Sequence, residues 1–271
     1  MSQIELNEYR MNVDVCPTLL PLDTVFIHGN LASNTWWLPA LELWRAEAKP
    51  GLEGRMIAAE WRGCGQSDAP TTEAELHPSA LADDYIALCE KLNVKKACLV
   101  GHSTGGIIAL YAMLKAPHLF DSAVLLDPVG GTGVQFGPEM YDAFTKMSRD
   151  RSTCEAVMSG TIHGMHADAL AGPLFQKIVD DAFQIAKINW HGVPRALHNT
   201  NITSELAKIR NRILIVQGEL DPLIPVESSK ALAASLPKAR LDIVQNQGHS
   251  LNVENPALFV KKVNEFLFQR P

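Results

Sequence analysis

Short, mostly apolar runs recur along this chain, and each is closed by a loop rich in Gly, Asp, His or Asn. Residues 24–27 stop at His28-Gly29-Asn30, and residues 55–59 stop at Glu60-Trp61-Arg62-Gly63-Cys64-Gly65-Gln66-Ser67. Residues 96–100 stop at Gly101, and residues 123–126 at Asp127-Pro128. Residues 212–216 stop at Gln217-Gly218-Glu219-Leu220-Asp221, and residues 241–244 run into Gln247-Gly248-His249. Runs this short, without polar alternation, read as strands buried on both faces. Helical spacing lies between them: Leu81, Tyr85, Leu88 and Leu92 recur over 79–92, and further helices are expected over 106–114 and 256–268. Strand–helix alternation predicts an α/β fold, a parallel sheet with helices on both faces. In such a sheet the ligand site lies beyond the carboxyl ends of the strands, so these loops should share one rim.

The alternation breaks between residues 130 and 206. No strand-like run occurs there, and helix-like segments fall over 139–149, 152–159 and 174–188. The expected organisation is a core domain of residues 1–130 and 207–271, with a helical cap or lid of residues 131–206 inserted into it. Phe136, Met140, Tyr141, Phe144, Met147, Met158, Met165, Phe175, Phe183 and Trp190 give the insert apolar content. Most should form the insert's own core. Met140 and Trp190 are carried as substrate contacts, with Leu31, Trp36 and Trp37 near the first strand-end loop. Both tryptophans could equally pack beneath the insert.

Gly101-His102-Ser103-Thr104-Gly105 sits between the strand at 96–100 and the helix at 106–114. A G-x-S-x-G at a strand-to-helix turn holds its serine in a strained backbone position with the hydroxyl pushed out, and glycines are needed where a Cβ would strike the adjoining strand and helix. A serine hydroxyl is a weak nucleophile at neutral pH. It needs a base to remove its proton and a carboxylate to orient that base. Ser103, Asp221 and His249 occur in the chain order this elbow type uses. Glu219 and Asp127 also end strands and compete with Asp221 as the orienting acid. A tetrahedral intermediate also needs donors for its oxyanion. The Thr104 N–H at a helix start is one, and Asn30 is preferred over Leu31 as the second.

Among the remaining histidines, His102 reads as structural or pocket-lining and His28 as a loop brace, while His77, His118 and His198 read as surface or loop residues. His163, His166 and His191 fall in the insert. His163 and His166 have an i, i+3 spacing but no acidic third ligand at a matching distance, so no metal is expected. Composition narrows partners rather than chemistry. The chain has 271 residues, 46% hydrophobic and 20% charged, with a formal net charge of −6. That balance disfavours nucleic acid or an anionic membrane as the main partner. Its five cysteines form no C-x-x-C pair, which fits a reducing, cytoplasmic setting without a disulfide framework or zinc site. Residues 1–5 lack the basic and apolar regions of a signal peptide, and no run of about 18 apolar residues suggests a membrane span. Asn201-Ile202-Thr203 matches a glycosylation sequon, a match given no weight without a signal peptide.

Together His28-Gly29-Asn30, Arg62-Gly63-Cys64-Gly65-Gln66-Ser67, Gly101-His102-Ser103-Thr104-Gly105-Gly106, Gly218-Glu219-Leu220-Asp221 and Gly248-His249 resemble the α/β-hydrolase fold superfamily over nearly the whole chain. The resemblance implies an eight-stranded, mostly parallel sheet, a helical lid, and no metal or organic cofactor. It points to the serine esterase and lactonase branch, since Ser103 departs from branches with an aspartate at the elbow. Glu60 also departs from the pattern, which commonly has Asp before Trp61-Arg62-Gly63, and this should bear on loop bracing. The expected activity is hydrolysis of a small-molecule carboxylic ester or lactone by a monomer or homodimer. Carbon–carbon bond hydrolysis, acyl transfer and a non-turnover ligand receptor are the alternatives. A carbon–carbon hydrolase would place cations such as Arg151, Lys177, Lys187 or Arg195 against a carboxylated substrate.

Overall fold

The computed structural model describes residues 2–6, 9–47, 54–162 and 167–269. Its sheet has eight strands: β1 (Ser2–Leu6), β2 (Tyr9–Thr18), β3 (Asp23–Ile27), β4 (Gly54–Glu60), β5 (Ala97–His102), β6 (Phe120–Leu126), β7 (Arg212–Gly218) and β8 (Ala239–Val244). They lie in the order β1-β2-β4-β3-β5-β6-β7-β8. β1 and β2 pair antiparallel, as do β2 and β4; every pairing from β4 to β8 is parallel.

Successive side chains on a strand point to opposite faces, and the core divides accordingly. Val25, Leu99, Leu125 and Ile215 face one layer, and Phe26, Val100, Val124 and Val216 the other. α1 (Leu38–Glu47) and α11 (Pro256–Phe268) cover the second face, where Trp44 packs on Phe26 and Phe259 packs on Trp44. α2 (Pro78–Lys91) and α3 (Thr104–Lys115) cover the first. Between β6 and β7 come α4 (Pro138–Met147), α5 (Arg151–Ser159), α6 (Ala167–Leu170), α7 (Pro173–Phe183) and α8 (Asn189–His198). α9 (Val226–Ser235) and the short α10 (Leu251–Glu254) follow β7 and β8. No described helix is long and apolar enough to cross a membrane.

The mostly apolar runs form parallel strands, as their pattern predicts, but β8, at the sheet edge, is only partly buried. Several elements lie outside those expectations. β1 and β2 mix polar and apolar residues because one edge of β1 is unpaired and β2 has exposed positions. The expected helix over 174–188 stops at Phe183, and a new one, α8, begins at Asn189. α8 contains Gly192 and Pro194, residues that weaken a helical reading. Gly192 packs close to Leu76, where a Cβ would lie 2.7 Å from Leu76 Cδ1 and push that side chain aside.

Candidate active site

The turn between β5 and α3 sets Ser103 at φ +53° and ψ −116°. A non-glycine residue held at positive φ is strained unless its surroundings fix it. Here the Ser103 N–H donates to Leu126 O at 2.9 Å, and Ser103 O accepts from Gly106 N and Val129 N, each at 2.9 Å. The neighbouring glycines are demanded by contact. A Cβ on Gly105 would stand 2.1 Å from Ile27 O, and one on Gly101 would stand 2.4 Å from Gly105 O. Thr104 opens α3, so its N–H has no intrahelical acceptor and points from the positive end of the helix.

The loops after β7 and β8 meet beside this turn. His249 Nδ1 lies 2.8 Å from Asp221 Oδ2, and both side chains are nearly inaccessible to solvent. Asp221 is held in turn: Oδ1 accepts from the N–H groups of Leu223 (2.8 Å) and Ile224 (3.0 Å), and Oδ2 accepts from Gln217 Nε2 at 3.1 Å. Burial opposes ionisation of Asp221. The His249 contact and the two backbone N–H bonds outweigh it, and its pKa is lowered. His249 therefore faces an ionised carboxylate, which fixes its proton on Nδ1 and leaves Nε2 as the basic nitrogen.

The competing acids are placed elsewhere. Glu219 is exposed and accepts from Asn246 N at 3.1 Å. Asp127 is fully buried; its Oδ1 accepts from Gly218 N at 2.7 Å, and its Oδ2 has no hydrogen-bond partner among the described residues. Burial, reinforced by the Asp221 charge, raises the Asp127 pKa well above 3.8, which favours its neutral form. His102 lies behind His249. Its Nε2 is 2.8 Å from the His249 carbonyl, which can only accept, so the proton sits on Nε2. Burial, with the neighbouring His249, lowers His102 to about 3, and burial lowers His28 to about 4, so both rings are neutral braces. His28 stacks on Trp61 with ring centroids 5.2 Å apart.

His102, Asp127 and His249 each place one potential metal-ligating atom within 4.8 Å of the others. His249 Nδ1 is already committed to Asp221, and His102 Nε2 to the His249 carbonyl. The trio also lacks the closed set of four ligands of a structural zinc site. The His163–His166 spacing lies outside the described residues.

Ser103 and His249 open into one cavity of about 340 Å³. Asn30, Leu31, Thr104, Trp36 and Met140 also line it. Leu31 has φ +52°, so the loop after β3 turns sharply at the cavity wall. The structure does not bring Trp37 or Trp190 to this cavity. Trp37 follows Trp36 in a tight 3₁₀ turn that sends the two rings to different layers, and it is buried beneath the sheet against Phe26 and Phe259, at 5.3 and 6.0 Å. Trp190 is buried on α8 in the apolar layer that holds the segment to the sheet. Phe144, Met147 and Met158 line the cavity and were among the insert's apolar residues without being singled out. Asp181 was not anticipated at all. From α7 it accepts hydrogen bonds from Ser33 Oγ (2.6 Å) and Thr35 Oγ1 (2.5 Å), just past the loop after β3. Its sequence signal, Lys177 four residues earlier, reads as an ordinary surface ion pair.

A strained serine at the carboxyl edge of a parallel sheet, with a carboxylate-held histidine opening into the same cavity, has the geometry of a strand–turn–helix elbow. Residues 25–256 match the family model described as alpha/beta hydrolase fold, and the chain belongs to that family. RutD of Agrobacterium fabrum, a carbamate hydrolase by name, is 26% identical over 264 residues, covering 90% of this chain and 92% of that protein. The 2-hydroxymuconate semialdehyde hydrolase of a Pseudomonas species is 27% identical over 251 residues, covering 90% and 86%. In fold, the chain is similar to an esterase from Exiguobacterium antarcticum, with a TM-score of 0.86, 20% identity and 98% coverage of each chain.

Proposed function

We propose that this protein is a serine hydrolase of small-molecule carboxylic esters or lactones that works through an acyl-enzyme. The observation that carries this reading is the positive-φ Ser103 sharing a cavity with His249, whose Nδ1 lies 2.8 Å from Asp221. Ser103 Oγ attacks the acyl carbon as His249 Nε2 takes its proton. The carbonyl oxygen, now negative, is received by the Thr104 N–H and the Asn30 N–H, with Leu31 next to it as the alternative donor. The tetrahedral intermediate collapses, the acyl–oxygen bond breaks, and His249 returns the proton to the departing alkoxide. Water then attacks the acyl-enzyme by the same route and frees Ser103. Asp221 stabilises the imidazolium formed in each half.

The cavity favours esters over a carboxylated carbon–carbon substrate. None of the described residues lining it is Lys, Arg, Asp or Glu. The cations that a dienoate would require are engaged elsewhere: Arg151 with Asp180 and Glu155, Lys177 with Asp181, and Arg195 with Glu73. Lys187 is exposed and does not line the cavity. In this reading residues 131–206 act as the lid, and the unpaired thiols of all five cysteines fit a reducing, cytoplasmic setting.

Intact-mass analysis after fluorophosphonate treatment tests the nucleophile. One adduct on the wild type and none on Ser103→Ala is expected. A panel of acyl esters and lactones then ranks substrates, and full turnover by purified Ser103→Ala sinks the reading.

A further inference from the structure

A second and larger space, of about 760 Å³, lies beside the catalytic cavity. Its walls are the glycine-rich segment after β6 and the outer face of α9. Val129, Val134, Gln135, Leu223 and Ile224 line both spaces, so the two share one wall. That wall includes the residues that hold the catalytic carboxylate, since the Leu223 and Ile224 N–H groups donate to Asp221.

The position of this wall fixes which half of an ester would reach it. In the tetrahedral intermediate the oxyanion must face Thr104 and Asn30, and the leaving oxygen must face His249, which protonates it. The alcohol half therefore extends past His249 toward the loop that carries Asp221, Leu223 and Ile224. The acyl half extends the other way, toward Phe144, Met147 and Met158 of α4 and α5. The larger space has an apolar floor at Leu206 and Leu232 and a polar rim at Asn201, Thr203 and Ser228. Glu227 is the one charged residue among those lining it.

We infer that this cleft is the leaving-group subsite, and that it takes a bulky, uncharged alcohol bearing hydrogen-bonding groups. The inference rests on the ester-hydrolase reading above. The apolar catalytic cavity holds the acyl half, and the cleft receives the part of the substrate released first. A free anion on the alcohol would meet Glu227 and no cation among the described lining residues, so a neutral alcohol is favoured.

Ala231 lines the cleft but not the catalytic cavity, and it is exposed on α9. Ala231→Trp would fill the cleft, and Ser228→Trp, also at an exposed position, would do so from a second point. The probes are 4-methylumbelliferyl butanoate and ethyl butanoate, which share an acyl group, and p-nitrophenyl butanoate and hexanoate, which share an alcohol. In either tryptophan variant the kcat/KM ratio of umbelliferyl to ethyl ester should fall at least fivefold, chiefly through KM. The hexanoate-to-butanoate ratio should move less than twofold. Thermal midpoints identify which variants are folded. An unmoved alcohol ratio in the folded variants, or a shift in the acyl ratio instead, overturns the assignment. Failure of fluorophosphonate to label Ser103 defeats the underlying hydrolase reading, whereas labelling with an unmoved alcohol ratio defeats the cleft alone.

Discussion

Asp127 and Asp221 end adjacent strands and lie close enough for their charges to interact, yet their surroundings push them apart. Asp221 gains the His249 contact and two backbone N–H bonds, and its pKa is lowered. Asp127 receives a single backbone N–H and is raised well above 3.8 by burial. Asp221→Asn should therefore cut kcat by about 10³ to 10⁴, because the amide favours the wrong imidazole tautomer. Asp127→Asn should keep kcat/KM within about threefold on the same p-nitrophenyl ester. The pH dependence of stability supplies a second sign. The native state keeps a proton on Asp127 that the unfolded chain loses near 3.8, so this contribution is fully present below that pH and is lost as pH rises toward the folded pKa. Asparagine has no such proton, so the thermal midpoint of Asp127→Asn should gain on the wild type from about pH 4 upward. A widening gap toward low pH would contradict this placement. The triad candidates were legible because each lies in a short strand-end motif whose local chemistry differs from core sequence. The fates of Trp36 and Trp37 were not legible, because neighbours in a 3₁₀ turn can face different layers and only the assembled sheet decides which.

At the scale of elements, the loop after β3 is braced from two sides. Glu60, at the end of β4, accepts from Asn12 Nδ2 (2.8 Å), Asn34 N (3.1 Å) and Gln66 N (2.8 Å), so the residue that departs from the usual Asp spans three separate segments. Gly65 makes room for it, since a Cβ there would lie 2.0 Å from Glu60 Oε2. Glu60→Ala should lower stability by about 2–4 kcal/mol, because the buried donors on Asn12 and Asn34 lose their acceptor together; urea unfolding measures the loss. From the opposite side, Asp181 of α7 accepts from Ser33 and Thr35. The proposed oxyanion donor of this loop, Asn30 or its alternative Leu31, sits a few residues upstream of Ser33, and such donors act most strongly in the transition state. Asp181→Ala should therefore lower kcat about tenfold with a smaller change in KM, and Asp181→Asn should recover part of the loss. A change in thermal midpoint alone, with kcat untouched, would reduce Asp181 to a structural tie. The sequence marked Glu60 as bearing on loop bracing without showing its partners, and it gave no sign of the Asp181 brace. Apart from Glu60 and Gln66, which are 6 positions apart, the tied residues are 26 to 148 positions apart, and nothing in local periodicity marks the partners. The same limit explains α8, whose Gly192 and Pro194 weaken a helical reading while its packing on the core sustains it.

The whole molecule carries a net charge of −6, and the cavity at Ser103 and His249 presents no charged side chain among the described lining residues. Both features act against an anionic substrate, but they act over different distances. The summed charge repels an approaching carboxylate through solvent, and salt screens it, with a Debye length of about 8 Å at physiological ionic strength. The cavity instead withholds a partner from a carboxylate that has already entered, and burying an unpaired charge costs several kcal/mol that salt does not relieve. A p-nitrophenyl hemiester of glutaric acid should therefore be cleaved about 100-fold less efficiently than the pentanoate of equal length, a difference of about 3 kcal/mol. Raising the salt to 0.5 M, about three times the physiological level at which the screening length is near 8 Å, should narrow that gap by no more than about threefold. Met158→Lys places an ammonium in the wall beside the proposed acyl half and should reverse part of the preference in favour of the hemiester. If salt alone erases the discrimination, repulsion by the whole molecule accounts for it. If the hemiester is the better substrate of the wild type, the cavity has a cationic partner outside the described lining, and a carboxylated carbon–carbon substrate becomes the stronger reading.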